Sequence, residues 1–236
     1  MSSWCGECPP KDSKIWRYLD FVKLTSLLDK EALYFPRADL LGDPFEGSIS
    51  KMNIKKRGQS TDFSEHYKWF RKLTVINSWH LNEFESDAMW KLYSGEGQGI
   101  AIQSTVGHLK NSLKKYKRDK IYMYKVKYVD YDDYWMAEHN LAIFFYKRKS
   151  FQHENEFRAV IQKVSLIDPV NCIPLDKMPF KDGGLYVPVD LEKLIEKVYL
   201  SPTCPDWQRE LIQSTLNKYG INKKVWHSRL RDEPIF

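Results

Sequence analysis

The sequence predicts an α+β fold in one domain, and three observations lead there. Strand and helix signals mix along the chain without the regular alternation of a doubly wound parallel sheet. Its 236 residues suffice for one sizeable core and are short for two. The C-terminal fifth reads as a β-α-β unit, whose neighbouring strands lie parallel under a crossing helix. The expected architecture is a mixed sheet with flanking helices over residues 14–236. A polar tail, residues 1–13, carries Pro9-Pro10 and is expected to be loosely held.

Each element has a local signature. Ile15–Tyr18 is a short apolar strand. Asp20 is placed to cap a helix whose Phe21, Leu24, Leu27 and Leu28 share one face. Ala32–Phe35 is a second strand, stopped by Pro36, and residues 40–47 form a turn marked by Gly42, Asp43-Pro44 and Gly47. Residues 61–72 are expected to be helical and Thr74–Trp79 extended. Ser86 caps a short helix with Met89, Trp90 and Tyr93 on adjacent turns. After it come a strand at Ile100–Gln103, a helix over 105–116, a half-buried strand over Ile121–Val129, a mainly helical stretch over Tyr131–Tyr146, and an alternating strand over Phe157–Val164. The closing unit is Val198–Leu200, a helix from Pro205 to Tyr219 with Leu211, Ile212, Thr215, Leu216 and Tyr219 on one side, a stop at Gly220, and a returning strand at Lys224–His227.

Composition narrows the function classes. No apolar run approaches the roughly 20 residues that span a bilayer, and the polar N-terminus lacks the apolar core of a secretory signal. Four cysteines in a chain this long do not make a disulfide scaffold, which fits a reducing cytoplasm. A net charge of +6 favours anionic partners, but 31 acidic residues disperse it. The basic stretches Lys51–Arg57 and Lys110–Lys120 read as solvated faces rather than one nucleic-acid stripe.

Most familiar chemical motifs are missing. Cys5-Gly6-Glu7-Cys8 has no second CxxC or His pair to complete a zinc site, so no metal is assigned. Gly95-Glu96-Gly97-Gln98-Gly99 lacks the lysine of a phosphate loop and reads as a tight turn. None of the six histidines sits in a metal-binding pattern. What stands out is Lys147–Arg158, where Glu154 and Glu156 lie two apart at the start of a strand. Period-two geometry would aim both carboxylates at one face. Two carboxylates that close are costly to ionise together, which raises one pKa. A carboxylate facing a cleft also stabilises positive charge at an anomeric carbon. The blander reading is a surface strand whose acids pair with Lys147, Lys149 or Arg158.

These residues, with others, resemble a bacterial family, the domain-of-unknown-function 2971 group. The resemblance rests on Trp16-Arg17-Tyr18, the Gly42-Asp43-Pro44-Phe45-Glu46 turn, Ser78 ending a strand, Met89-Trp90 with Tyr93, Gly99–Ile102, Lys149 with Glu154–Arg158, and Tyr199–Pro202. A weaker resemblance links the order Arg, Ser, Glu-x-Glu to NAD-dependent ADP-ribosyltransferases. That resemblance implies NAD as a substrate. It implies Arg17 on the NAD phosphates, Ser78 orienting the catalytic loop, Glu156 on the nicotinamide ribose and its oxocarbenium-like transition state, and Glu154 activating the acceptor. Tyr18, Trp79, Trp90, Tyr93 and Arg158 would line the nucleotide site. The acceptor would be a protein or nucleic acid, with no membrane involved, as in a bacterial toxin or phage-defence effector. Two other readings stay open. One is a binding module that recognises a nucleotide or protein without catalysis. The other is a nucleic-acid enzyme whose Asp43, Glu46, Glu154 and Glu156 gather Mg²⁺.

Overall fold

The computed structural model describes residues 6–57, 61–93, 98–137, 139–163, 179–180 and 182–235. In chain order the regular elements are β1 (Lys14–Leu19), α1 (Phe21–Lys30), β2 (Ala32–Pro36), α2 (Lys51–Arg57), α3 (Thr61–Lys72), β3 (Thr74–Leu81), α4 (Asp87–Tyr93), β4 (Ile100–Thr105) and α5 (Val106–Ser112). These are followed by β5 (Tyr122–Lys125), β6 (Lys127–Val129), β7 (Tyr146–Arg148), β8 (Glu156–Gln162), β9 (Gly184–Pro188), α6 (Leu191–Leu194), β10 (Lys197–Leu200), α7 (Asp206–Lys218) and β11 (Val225–His227). The fold class is α+β, with mixed strand pairing and flanking helices, as the sequence predicts. The chain divides into two compact units: Met1–Cys8, Tyr34–Ser78 and Arg118–Leu185 form the first, and Pro9–Leu33, Trp79–Lys117 and Tyr186–Phe236 the second.

In the first unit the N-terminal half of β3 neighbours β8, and β5 pairs antiparallel with β8, setting Tyr124 opposite Arg158. A parallel pair, β6 and β7, sets Tyr128 opposite Lys147. Phe70, Ile76, Phe144, Phe145 and Val160 form one buried cluster, and Val129, Tyr131, Met136 and Ala142 another. Every residue of β8 but the last is buried, so it reads as a continuous apolar and charged run rather than an alternating one.

Two expectations fail in this unit for physical reasons. Residues 131–146 are not mainly helical: Ala142–Phe145 form a short 3₁₀ segment and Tyr146 already opens β7. All four residues of that segment are buried, so there is no polar face for an amphipathic helix to show. The single strand expected over 121–129 is two, because Val126 is buried and its N–H donates to the Glu156 carbonyl at 2.8 Å. Part of the tail expected over 1–13 is held in place. Its Glu7 carbonyl accepts the Lys125 N–H at 2.9 Å.

In the second unit the order is β11, β10, β4, β1, with the C-terminal half of β3 beyond β1. β1 is antiparallel to both β4 and β3, with Arg17 opposite Ile102 and Trp16 opposite His80. Asp20 caps α1 by accepting the Lys23 N–H at 2.7 Å, and Leu24, Leu27 and Leu28 are its buried stripe. Ser86 accepts the Met89 N–H and caps α4. β10, α7 and β11 form the expected parallel β-α-β unit. The buried face of α7 is narrower than its apolar pattern: Gln208, Ile212 and Leu216 are inside at spacing four, while Leu211 and Tyr219 are exposed. Gly220 takes φ +73°, the left-handed conformation expected after a helix end. No described helix is long and apolar enough to cross a membrane.

Candidate functional site

The most concentrated chemistry lies in the first unit, where β7, the turn after it and β8 converge on the 43–47 turn. β7 delivers Lys147. A 3₁₀ segment, Lys149–Glu154, follows and ends on Glu154. Asn155 then takes φ 37°, a left-handed conformation that asparagine tolerates, and Glu156 opens β8. Glu154 and Glu156 therefore do not share a face through the strand pleat, as their spacing predicts. The Asn155 turn brings their carboxyl groups together instead, and they hydrogen bond to each other. Both are buried, at 7% and 5% exposure, so they do not lie on a surface strand, but they do pair with Lys147 and Arg158 as the blander reading expects.

Arg158, two residues into β8, is the centre of the cluster and is fully buried. Its Nη1 and Nη2 donate to the two Glu46 oxygens at 2.8 and 2.6 Å. Its Nε and Nη2 donate to the two Glu156 oxygens at 2.7 and 3.0 Å. Nη1 also donates to the Phe144 carbonyl at 2.9 Å. A guanidinium suits this position because its planar fork can serve two carboxylates at once. Lys147 is the second cation. Its Nζ donates to Glu156 at 2.8 Å and to Glu154, and lies 3.5 Å from Glu46.

Counting charge explains the protonation states. Two cations, Lys147 and Arg158, face three carboxyl groups, Glu46, Glu154 and Glu156. One carboxyl must hold a proton for the cluster to be neutral, and a buried net charge is costly. Glu154 is the carboxyl group whose pKa is raised. Burial, reinforced by the hydrogen bond and the charge of Glu156, pushes it up to about 7. Burial would raise Glu156 too, but Arg158 and Lys147 outweigh that and hold it well below the usual carboxylate range. Lys147 stays above its ordinary value because Glu156, Glu46 and Glu154 overcome the effect of burial.

The 43–47 turn is fixed from outside the cluster. Arg148 donates Nη2 to Asp43 at 2.7 Å, and its guanidinium carbon lies 4.3 Å from the centre of the Phe45 ring and 5.3 Å from that of Phe151. Gly47 has φ +69°, and a Cβ there would come within 2.5 Å of the Phe144 ring. This turn presents Glu46 to Arg158. The cations thus take the oxygens that a Mg²⁺ ion would need, and among the described residues no group of three or more His, Cys, Asp or Glu is placed to hold a metal.

The second unit holds most of the remaining site candidates. Arg17 is half-buried on β1, its guanidinium carbon 5.9 Å from the centre of the Trp79 ring, and burial lowers its pKa to about 10. Tyr18 packs edge-to-face on Trp90 at 4.9 Å, and its hydroxyl accepts the Ser86 N–H at 2.8 Å. Trp79 and Trp90 are 1% and 3% exposed, and Trp90 Nε1 donates to Glu85 at 2.9 Å. These rings are core, so burial removes the open faces that stacking on nicotinamide would use. Tyr93, at 45% exposure, is on the surface. Ser78 is half-buried on β3 within the first unit. Cys5 and Gly95–Gly97 lie outside the described residues, as does Cys172.

The sequence pairs Lys147 and Arg158 with the two acids but does not join Glu46 to Arg158. The Asp-Pro-Phe-Glu turn was a usable signal, but pairing it with a strand 112 positions away requires the fold. The family model described as "Protein of unknown function (DUF2971)" matches residues 89–159, a stretch that contains Lys147, Glu154, Glu156 and Arg158. The resemblance to that family therefore holds there. No curated protein matches the chain. Similar solved structures include "Thermus sp. 2.9 DarT in complex with NAD+", 8% identical, TM-score 0.45, covering 96% of this chain and 100% of that one. The same protein "in complex with carba-NAD+" is 9% identical, TM-score 0.41, with 94% and 97% covered. The form "in complex with ADP-ribosylated ssDNA" is 9% identical, TM-score 0.44, with 97% and 100% covered.

Proposed function

We propose that the protein cleaves NAD at the nicotinamide–ribose bond and passes the ADP-ribose to water or to a protein or nucleic-acid acceptor, using Glu156 and Glu154. One feature supports this above the others: two adjacent buried carboxyl groups differ in acidity, Glu156 held well below the usual carboxylate range by Arg158 and Lys147, and Glu154 pushed up to about 7 by burial and by Glu156. Departure of nicotinamide leaves positive charge on the anomeric carbon. A fixed carboxylate stabilises that charge without reorganising. A neighbouring carboxyl that gains and loses a proton near neutral pH can take the proton of the attacking hydroxyl. Arg158 and Lys147 hold Glu156 in its ionised form, so they are positioning residues.

In this reading Ser78 orients the catalytic loop, and Arg17 binds phosphate, as the resemblance implies. Arg17→Lys is expected to raise KM for NAD more than it lowers kcat. The biological setting, a bacterial toxin or phage-defence effector in the cytoplasm, is part of the same proposal, and growth arrest on induced expression tests it. The direct test is nicotinamide release from NAD together with a labelled-NAD transfer gel. Wild type is expected to release nicotinamide, alone or with an acceptor. Glu156→Gln keeps the shape, removes the charge, and is expected to lower the rate by about 10²–10³. Glu154→Gln is expected to reduce transfer more than hydrolysis. No release under any acceptor condition, or equal rates in wild type and Glu156→Gln, favours the binding-module reading instead.

A further inference from the structure

The first unit contains a cavity of about 820 Å³ whose lining includes Lys125, Lys127, Tyr128, Gln152 and Asn155. That volume falls within the roughly 300–1,000 Å³ of small-molecule sites. Glu154 and Glu156 are not among its lining residues, so it is separate from the carboxylate cluster.

Its wall is built by the break between β5 and β6. Val126 points inward and is buried, which leaves Lys125 and Lys127, two residues apart, both lining the cavity. Among the described residues neither lysine forms an ion pair with a carboxylate. Lys127 is held in place by its hydrogen bond to the Tyr134 hydroxyl at 2.7 Å, an uncharged partner that leaves its positive charge uncompensated. Among the described lining residues Glu7, at the cavity edge, is the one acidic group, and it is exposed. Lysine ammonium groups in this arrangement attract an anion. Beside them, the Gln152 amide offers hydrogen bonds and the Tyr128 ring a flat surface, with Asn155 completing the wall.

We infer that this cavity binds a nucleoside phosphate, with the phosphate on Lys125 and Lys127 and the nucleoside against Tyr128, Gln152 and Asn155. The site is also joined to the cluster through the backbone. The Tyr128 hydroxyl accepts the Glu156 N–H at 2.9 Å, and the Val126 N–H donates to the Glu156 carbonyl at 2.8 Å. A ligand in the cavity therefore touches residues that grip Glu156 from both sides of its peptide.

The test is calorimetric titration of the full chain with AMP, and separately with inorganic phosphate. Variants are Lys125→Gln/Lys127→Gln, Lys125→Arg/Lys127→Arg and Glu156→Gln. AMP is expected to bind wild type, the arginine pair and Glu156→Gln with similar affinity. The glutamine pair is expected to bind about tenfold or more weakly with an unchanged unfolding midpoint, since each lost contact is to a charged group. Equal AMP affinity in wild type and the glutamine pair would overturn the site, as would no AMP binding by wild type. Phosphate binding as tightly as AMP would overturn the nucleoside assignment. None of these readouts depends on NAD turnover, so this inference and the proposed activity can fail separately.

Discussion

Each unit of the molecule holds a guanidinium in its sheet, fully buried in one and half-buried in the other. In the first, Arg158 is enclosed by Glu46 and Glu156, which hold its charge more firmly than water would. In the second, Arg17 lies near the face of Trp79, and burial lowers its pKa to about 10. The comparison teaches what a buried cation requires. With carboxylates in bidentate contact, burial strengthens the pair, and Arg158 holds Glu156 well below the usual carboxylate range. Beside the Trp79 ring, the ring quadrupole contributes about 0.5–2 kcal/mol to Arg17.

Glu46→Ala leaves Arg158 with one carboxylate partner in place of two, and truncating one side of a buried ion pair costs about 3–5 kcal/mol. Chemical denaturation is expected to show that loss. Glu46→Gln should also leave two cations facing two carboxyl groups, so Glu154 is expected to titrate below its present value of about 7. An NMR titration that finds Glu154 unmoved in Glu46→Gln would show that burial alone, not the charge count, sets its pKa.

In the second unit the corresponding substitution is Trp90→Ala. It removes a ring packed with Trp16, Tyr18, Met89 and Ala101, and is expected to cost about 3–5 kcal/mol as other large core truncations do. An unchanged unfolding midpoint would mean that Trp90 is not the anchor its burial implies.

A smaller effect concerns pH. Glu154 titrates at about 7 in the native protein against an ordinary 4.5, so between those values the folded state holds a proton that the unfolded chain has lost. Stability therefore falls as pH rises through that window, by up to about 3 kcal/mol. Glu156 works the other way: its contribution is present above the ordinary carboxylate value and is lost as pH falls through its depressed native one. Glu154→Gln is expected to remove the decline between pH 4.5 and 7 and leave the acid limb in place. A stability curve for that variant that matches wild type would assign the decline to other groups. The smallest effect is at Tyr93. Its ring is exposed, so Tyr93→Ala is expected to change stability by no more than about 0.5 kcal/mol.

Local signals in the sequence determined local structure. Asp20 and Ser86 read as caps and are caps, Gly220 reads as a helix stop and takes a positive φ, and the β-α-β unit follows from its strand-helix-strand pattern. Those features depend on interactions a few residues apart, which is the range that sequence patterns report. The closeness of Glu154 and Glu156 was legible for the same reason, since they are two apart in sequence. The means of their convergence was not. A left-handed Asn155 replaced the strand pleat, and only packing decides that an asparagine will turn there. Burial of Trp79 and Trp90 likewise depended on which faces of β3 and α4 were covered. Tertiary structure alone brought Glu46, Lys147 and Arg158 into one cluster. A buried guanidinium must find its carboxylates wherever the fold can supply them, and one of them came from 112 residues away.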